Sequence, residues 1–496
     1  TVTAVLLAAV AAHPDRDAYV DGDRRCTYAE LERRSAGFAA ALVRHGVRPG
    51  DVVCITAASS IEFAVAYLGA IRARAVTSAI NQRLGDAERS SILDRTRPVV
   101  TVAGADTSLP PDCGIVVRVG PEFDAWCAEE HDPALTTAAC DADRDETVAV
   151  VWTSGTTGAP KGACYDHAAL QANSEGMGDL CIAADRRLVS LPFAHMGYMT
   201  RVWDDLAKGV TMVLATEPWS PAEHLRLIEA ERITMATGVP TQWSLVLAHP
   251  DLPTTDLSSL RLAGIGAAAI PPELVHAMRA RLGCPVMTRY TSTEAGLISG
   301  TGLDDGPEVV AHTVGVPSPI VSLRVVDITT EHDVTSEGTV GEIRVRSAAM
   351  FRGYWHDPER STEALDPDGF LRTGDLGYVG DDGNLRIVGR LKEMYIRGGY
   401  NVYPAEIEAV LGAHDAVIAA AVVGAPAPVL GEIGVAFVVP THPDAPPTLD
   451  VLRAWCAQHL ADYKSPDRLV VVETLPLNAT HKVDKQRLAA LAKEQV

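Results

Sequence analysis

Apolar positions in this chain fall into two alternating patterns, helical faces and short unbroken runs. Thr27, with Glu30 three residues on, forms a capping box that opens a helix through Leu31, Phe38 and Leu42 and closes near Gly46. Val52-Val53-Cys54-Ile55 then reads as a strand, residues 63–71 as a helix and residues 75–80 as a strand again. The rhythm returns through Ser190-Leu191-Pro192, the Met212-Val213-Leu214 run, a helix over 221–231 and a strand over 233–237. Buried strands separated by helices predict a parallel α/β body, and no short-period repeat argues for a solenoid. Beyond about Gly300 the texture becomes rich in strands and turns, with strands over 322–326 and 341–345 and a hairpin at Asp381-Asp382-Gly383. A smaller β unit is expected there. A helix over 404–411, a buried strand over 416–423 and a helix over 451–460 make the end of the chain a compact α+β unit. The boundary is expected near Lys392, giving domains 1–391 and 392–496.

Composition changes this picture at a few points. A length of 496 residues exceeds what one core comfortably organises, which agrees with several lobes. The 43 basic and 64 acidic residues leave a net charge of −21, which opposes sequence-independent binding to nucleic acid or to an anionic membrane surface. An anionic ligand must therefore meet locally concentrated positive groups. The nine cysteines are scattered, odd in number and form no C-x-x-C pair, so reduced thiols of a cytoplasmic protein are expected rather than a disulfide frame or a zinc site. No apolar run approaches the roughly 20 residues of a membrane-spanning helix. Residues 5–12 are apolar, but no Lys or Arg precedes them and Pro14 with charged residues follows. They read as a first amphipathic helix rather than a signal peptide.

Candidate chemistry begins where a buried strand over 148–152 runs into Thr153-Ser154-Gly155-Thr156-Thr157-Gly158, with Lys161 after Pro160. Such a loop offers hydroxyls and close backbone N–H groups to phosphate oxygens, and the lysine adds a point charge. No Gly-Lys-Ser/Thr follows, so it is not a Walker loop. The composition alone would equally suit a solvated linker; the preceding strand and Lys161 favour phosphate. The segment T-S-G-T-T-G-x-P-K-G resembles the phosphate loop of the AMP-forming acyl-CoA synthetase, adenylation-domain and firefly-luciferase superfamily. Further segments resemble that family in its own order. Tyr290-Thr291-Ser292-Thr293-Glu294 is similar to its Y-G-x-T-E, Thr373-Gly374-Asp375 to its T-G-D, and Gly389-Arg390-Leu391-Lys392-Glu393 to its hinge. The stretch from Gly398-Gly399-Tyr400-Asn401 to Glu408 and the lysine motif over 478–485 complete the set, which with the Thr27-Tyr28 to Gly50-Asp51 opening spans nearly the whole chain.

The resemblance implies a large N-terminal domain of two α/β subdomains plus a small β-barrel-like subdomain, followed by a small mobile α+β C-terminal domain. It implies ATP, Mg²⁺ and coenzyme A as ligands, with Thr153 to Gly158 and Lys161 around the phosphates. Glu294 is then the Mg²⁺ residue and Thr293 the α-phosphate partner, although a Thr-Glu pair by itself also suits a helix cap. Asp375 is the ribose partner, assisted by Arg390, although Asp after Gly374 also suits a turn. Gly266-Ala267-Ala268 becomes the adenine-side wall, Tyr290 a ring to stack on it, and Gly264, Thr291 and His195 the acyl pocket. By itself His195, in Leu191-Pro192-Phe193-Ala194-His195, equally suits a satisfied core histidine. Lys482 is the catalytic lysine, Lys392 the hinge, and Gly398-Gly399 the thiol tunnel.

Lysine usage points the same way without the family. Only seven basic residues are Lys, and where Arg is the default cation a retained Lys marks a need for a compact ammonium. Lys161, Lys392 and Lys482 are three of them, at the loop, the hinge and the terminal motif; drift on a solvated face accounts for Lys208 and Lys493. The chain departs from the family pattern at His481 and Thr291, where glycines are usual, and Thr291 is expected to shorten the acyl pocket. The resulting reading is an ATP-dependent carboxylic acid:CoA ligase for a medium, branched or aromatic acid. The alternatives are an adenylating enzyme that loads a carrier protein, a luciferase-like oxygenase and a non-catalytic acyl or nucleotide sensor.

Overall fold

A computed structural model describes residues 1–153, 160–216, 218–266, 270–477 and 483–495. Two sheets form the large α/β body. The first has six strands in the order Ile115–Arg118, Val100–Ala103, Val52–Thr56, Val76–Ala79, Thr147–Thr153 and Lys161–Asp166. All neighbours are parallel except the last pair, which is antiparallel. The second has nine strands around a parallel centre of Asp17–Asp21, Thr211–Leu214, Arg186–Val189, Met235–Gly238, Leu262–Gly266 and Val286–Ser292. Antiparallel strands close both of its edges.

The helix Tyr28–Arg44 begins where Thr27 caps it, its hydroxyl accepting from the Glu30 N–H at 3.2 Å. It packs on Ile61–Arg72, whose twelve residues are all buried. Such a helix needs apolar residues on every side, and its two charges are paired: Arg72 to Glu32 at 2.8 Å and Glu62 to Arg24 at 2.7 Å. Gly69 permits the close approach, since a Cβ there would lie 2.9 Å from both Phe38 Cδ1 and the Ser35 carbonyl oxygen.

Two expectations are corrected here. The N-terminal helix Val2–Ala12 is not amphipathic: Val2, Leu6 and Ala9 face the core, while the outward positions Ala4, Ala8 and Ala11 are apolar too. Ser190-Leu191-Pro192 lies beyond its strand, which spans Arg186–Val189.

The small β unit is an antiparallel meander of Val321–Val326, Gly341–Ser347, Leu371–Val379 and Leu385–Arg390. Its end strands do not pair with each other, so it is an open sheet rather than a closed barrel. A separate sheet starts at Tyr395. Its long pair Val417–Ala427 and Gly431–Pro440 alternates sides, with Val422, Ala436 and Val438 facing the helices Pro404–Gly412 and Leu449–His459. Ala421, Val423, Val435 and Phe437 face the helix Lys485–Gln495. All nine cysteines are free. Among the described residues no helix is long and apolar enough to cross a membrane.

Candidate active site

The carboxyl ends of parallel strands are where open α/β sheets hold ligands, and three sequence motifs follow strands of the parallel centre of the nine-stranded sheet. Leu191 to His195 follows Arg186–Val189, Ala267 and Ala268 follow Leu262–Gly266, and Thr293-Glu294 follows Val286–Ser292. Residues 154–159, 267–269 and 478–482 lie outside the described residues. Ser154, Gly155, Thr156, Thr157, Gly158, Ala267, Ala268 and Lys482 are among them.

Thr153 and Lys161 are register partners, so the glycine-rich loop connects Thr147–Thr153 to its antiparallel neighbour at the sheet edge rather than a strand to a helix. No helix N-terminus follows the loop, and its fixed positive charge falls to Lys161. Arg95 holds the exit of the loop by donating to the Pro160 carbonyl at 2.7 Å. Lys161 Nζ sits 5.0 Å from the centre of the Tyr354 ring.

Glu294 occupies the turn between Val286–Ser292 and Gly296–Gly300, and three contacts fix it. Tyr165 donates its hydroxyl to the Thr293 carbonyl, and the Phe351 N–H donates to the Glu294 carbonyl at 2.8 Å. Tyr354 donates its hydroxyl to Glu294 Oε1 at 2.9 Å. Both Thr293 and Glu294 remain partly exposed.

Asp375, 4% exposed, is held from two directions. Oδ2 accepts from the Tyr290 hydroxyl at 2.6 Å, and Oδ1 from Arg390 Nε at 2.8 Å. Burial and the Asp375 charge push the Tyr290 hydroxyl far above its ordinary pKa, so it remains a donor. The same carboxylate raises the pKa of Arg390. Tyr290 is itself buried, and its contact is with this carboxylate. The set therefore reads as one connected line: Lys161, Tyr354, Glu294, then along the strand to Tyr290, Asp375 and Arg390.

The remaining candidates are arranged around this line. His195 caps the short helix Met196–Met199, its Nδ1 accepting from the Gly197 N–H at 3.2 Å. Two residues before it, Phe193 is buried and stacked on Tyr198 with ring centres 3.6 Å apart. Thr291 is exposed, at a register shift between Tyr290 and Thr291. Gly264 and Gly266 both have a packing reason. A Cβ on Gly264 would lie 2.8 Å from Thr237 Cγ2, and one on Gly266 would lie 2.8 Å from the Arg289 carbonyl oxygen. Gly398 and Gly399 form the two-residue turn between Tyr395–Arg397 and Tyr400–Val402, with φ of +57° and +89°. Lys392 is exposed, and Leu477 and Val483 form an isolated antiparallel bridge.

Comparison with known proteins agrees with this geometry. The AMP-binding enzyme profile matches residues 6–355, and the AMP-binding enzyme C-terminal domain profile matches residues 406–482. The chain belongs to the AMP-binding enzyme family. Its place is on the acyl-CoA ligase branch. A 7a-methyl-1,5-dioxo-octahydroinden-4-yl propanoyl:CoA ligase of Mycobacterium tuberculosis is 38% identical, with 99% of each chain covered. A feruloyl-CoA synthase of an Amycolatopsis species is 35% identical over 95% of each. The crystal structure of ATP-bound MatB from Rhodopseudomonas palustris superposes with a TM-score of 0.90 at 29% identity, covering 99% of both chains.

In this AMP-binding enzyme, sequence reasoning missed Tyr354, Tyr165, Arg95 and the partners of Lys485. Lys485 Nζ lies 2.7 Å from Glu393 and 2.8 Å from Glu408. Burial alone would lower its pKa, but the two carboxylates outweigh it and raise it. Only the three-dimensional contacts single these residues out; Phe351-Arg352-Gly353-Tyr354-Trp355 has no local signal for a phosphate or metal role.

Proposed function

We propose that this enzyme activates a carboxylic acid and transfers it to coenzyme A in two steps at one site. The carboxylate attacks the α-phosphorus of ATP, forming acyl-AMP and releasing pyrophosphate. The CoA thiol then attacks the acyl carbonyl, the thioester forms, and AMP leaves. The connected line from Lys161 through Glu294 to Asp375 and Arg390 carries this reading. It offers a cation, a partly exposed carboxylate and a doubly anchored carboxylate in the order that triphosphate, metal and ribose require.

In this reading the 153–158 loop and Lys161 hold the phosphates. Thr293 bonds the α-phosphate, and the Glu294 carboxylate is a hard oxygen donor that fits Mg²⁺, which would accompany ATP and neutralise phosphate charge. Asp375 keeps a free lone pair on each oxygen for a ribose hydroxyl, with Arg390 beside it. Lys482 aligns the attacking carboxylate, and His195 with Thr291 and Gly264 borders the acyl group. The domains divide as 1–391 and 392–496, and rotation about Lys392 exchanges the Lys482 loop for the Gly398-Gly399 turn between the steps. The acid is one whose three-carbon carboxylate arm carries a ring system, the feature shared by the propanoyl and feruloyl groups in the relatives' names.

Pyrophosphate exchange with a panel of acids, followed by loss of free thiol on adding CoA, tests this. Ring-bearing propanoic and propenoic acids should support both. Exchange without thiol loss from CoA, but with loading of a phosphopantetheine carrier protein, would overturn the acceptor. Exchange with none of the panel would overturn the function.

A further inference from the structure

Tyr354 lies where two parts of the site are sewn together. The Cys164 N–H donates to the Gly353 carbonyl at 3.0 Å, the Trp355 N–H to the Gly162 carbonyl at 2.7 Å, and the Phe351 N–H to the Glu294 carbonyl at 2.8 Å. The segment thus ties the strand that leaves the phosphate loop to the Glu294 turn. Tyr354 is 9% exposed and packs edge-on against Phe351 with ring centres 4.9 Å apart. Its hydroxyl bonds Glu294, and its ring face carries Lys161.

Opposite charges in one cleft pair with each other by default, and a ligand that needs both must then break the pair. Among the described residues no ion pair within 4.0 Å joins Lys161 to Glu294. The tyrosine offers each a weaker partner instead. A ring face holds an ammonium only weakly, and one hydroxyl bond to Oε1 leaves Oε2 available.

We propose that Tyr354 is a positioning residue that keeps Lys161 and Glu294 apart and pre-set, one for the phosphates and the other for the metal of magnesium-ATP. This rests on the function proposed above.

Two variants separate the ring from the hydroxyl. Tyr354→Phe keeps the ring and removes the donor; Tyr354→Leu removes both. The probe is Mn²⁺, titrated by electron paramagnetic resonance into enzyme saturated with α,β-methylene-ATP. Calorimetry of the same analogue without metal, and the melting temperature, are measured alongside. Tyr354→Phe should weaken Mn²⁺ binding on the order of 10-fold, the usual effect of losing the partner that orients a metal ligand. Its metal-free nucleotide affinity should stay at the parent value. Tyr354→Leu should weaken both, because Lys161 is then free to close on Glu294. Parental Mn²⁺ affinity in Tyr354→Phe overturns the proposal, and so does Tyr354→Leu behaving identically to Tyr354→Phe. Glu294→Gln identifies which reading failed. If it also binds Mn²⁺ like the parent, the metal role of Glu294 is wrong; if it loses Mn²⁺ while Tyr354→Phe does not, only the role of Tyr354 is wrong.

Discussion

His224 is wholly buried, edge-on to Trp219 and Trp243 with ring centres 5.9 and 5.4 Å away, and its Nδ1 accepts from Trp219 Nε1 at 3.4 Å. Burial lowers its pKa to about 4 from 6.5. A depressed folded-state value means that the unfolded chain takes up the proton first. Stability is therefore full above about pH 6.5 and is lost as the pH falls toward 4, by up to about 3 kcal/mol from this group. The melting temperature of the parent should drop through that window. His224→Asn, which keeps an acceptor but cannot charge, should start lower and fall less steeply; parallel curves would mean that His224 does not titrate on unfolding. Thr291 carries a second prediction of the same kind. Its side chain is exposed and β-branched, hence stiff. Thr291→Gly should extend acceptance toward longer acids in pyrophosphate exchange, and an unchanged profile would mean that Thr291 does not line the acyl pocket.

Among the elements, the two-glycine turn isolates the cost of backbone shape. At Gly399 a Cβ would meet nothing within 4 Å, so only φ of +89° penalises a side chain. Gly399→Val should slow thioester formation while pyrophosphate exchange stays near the parent, and Gly399→Asn, which tolerates positive φ, should retain the parent melting temperature. Equal loss of both half-reactions in Gly399→Val would sever the turn from the thiol step. Elements of this kind were legible from the chain itself. Thr27 and Glu30 marked a helix start, and Asp381-Asp382-Gly383 marked the hairpin between Leu371–Val379 and Leu385–Arg390. Pairing partners were not legible, because they depend on packing between remote segments. Asp17–Asp21 joins Thr211–Leu214, nearly two hundred residues away, and Lys161–Asp166 runs antiparallel at the edge of an otherwise parallel sheet. Lys161, Glu294 and Asp375 could be nominated because charge and turn residues recur at fixed places in known motifs. Tyr354 could not, because its role consists of contacts to Lys161 and Glu294, 193 and 60 positions away in the chain.

For the whole molecule the question is how one cleft serves two incompatible steps. Adenylation needs an ammonium beside the carboxylate and α-phosphate, whereas thioester formation needs that space open for the pantetheine arm. Lys485 bears on the mechanics. It follows Lys482 by three residues and binds both Glu393, next to the proposed hinge residue Lys392, and Glu408 on the helix Pro404–Gly412. The Gly398-Gly399 turn is bonded to the same unit through the Gly398 N–H and the Leu430 carbonyl at 2.8 Å. Lys485 and the glycine turn are thus tied into one body, and under the rotation proposed above a few residues of the Leu391-Lys392-Glu393 turn absorb the backbone change. Lys482→Ala should lose adenylation by about 10²-fold or more, the scale of removing one preorganised charge contact, yet still convert supplied acyl-AMP and CoA to thioester. Lys392→Pro, by fixing φ, should do the reverse: near-normal pyrophosphate exchange with poor thioesterification. The two half-reactions measured separately on both variants decide the matter. Equal damage to both steps in Lys482→Ala, or intact steps in Lys392→Pro, would mean that this enzyme completes both reactions without rotating about Lys392.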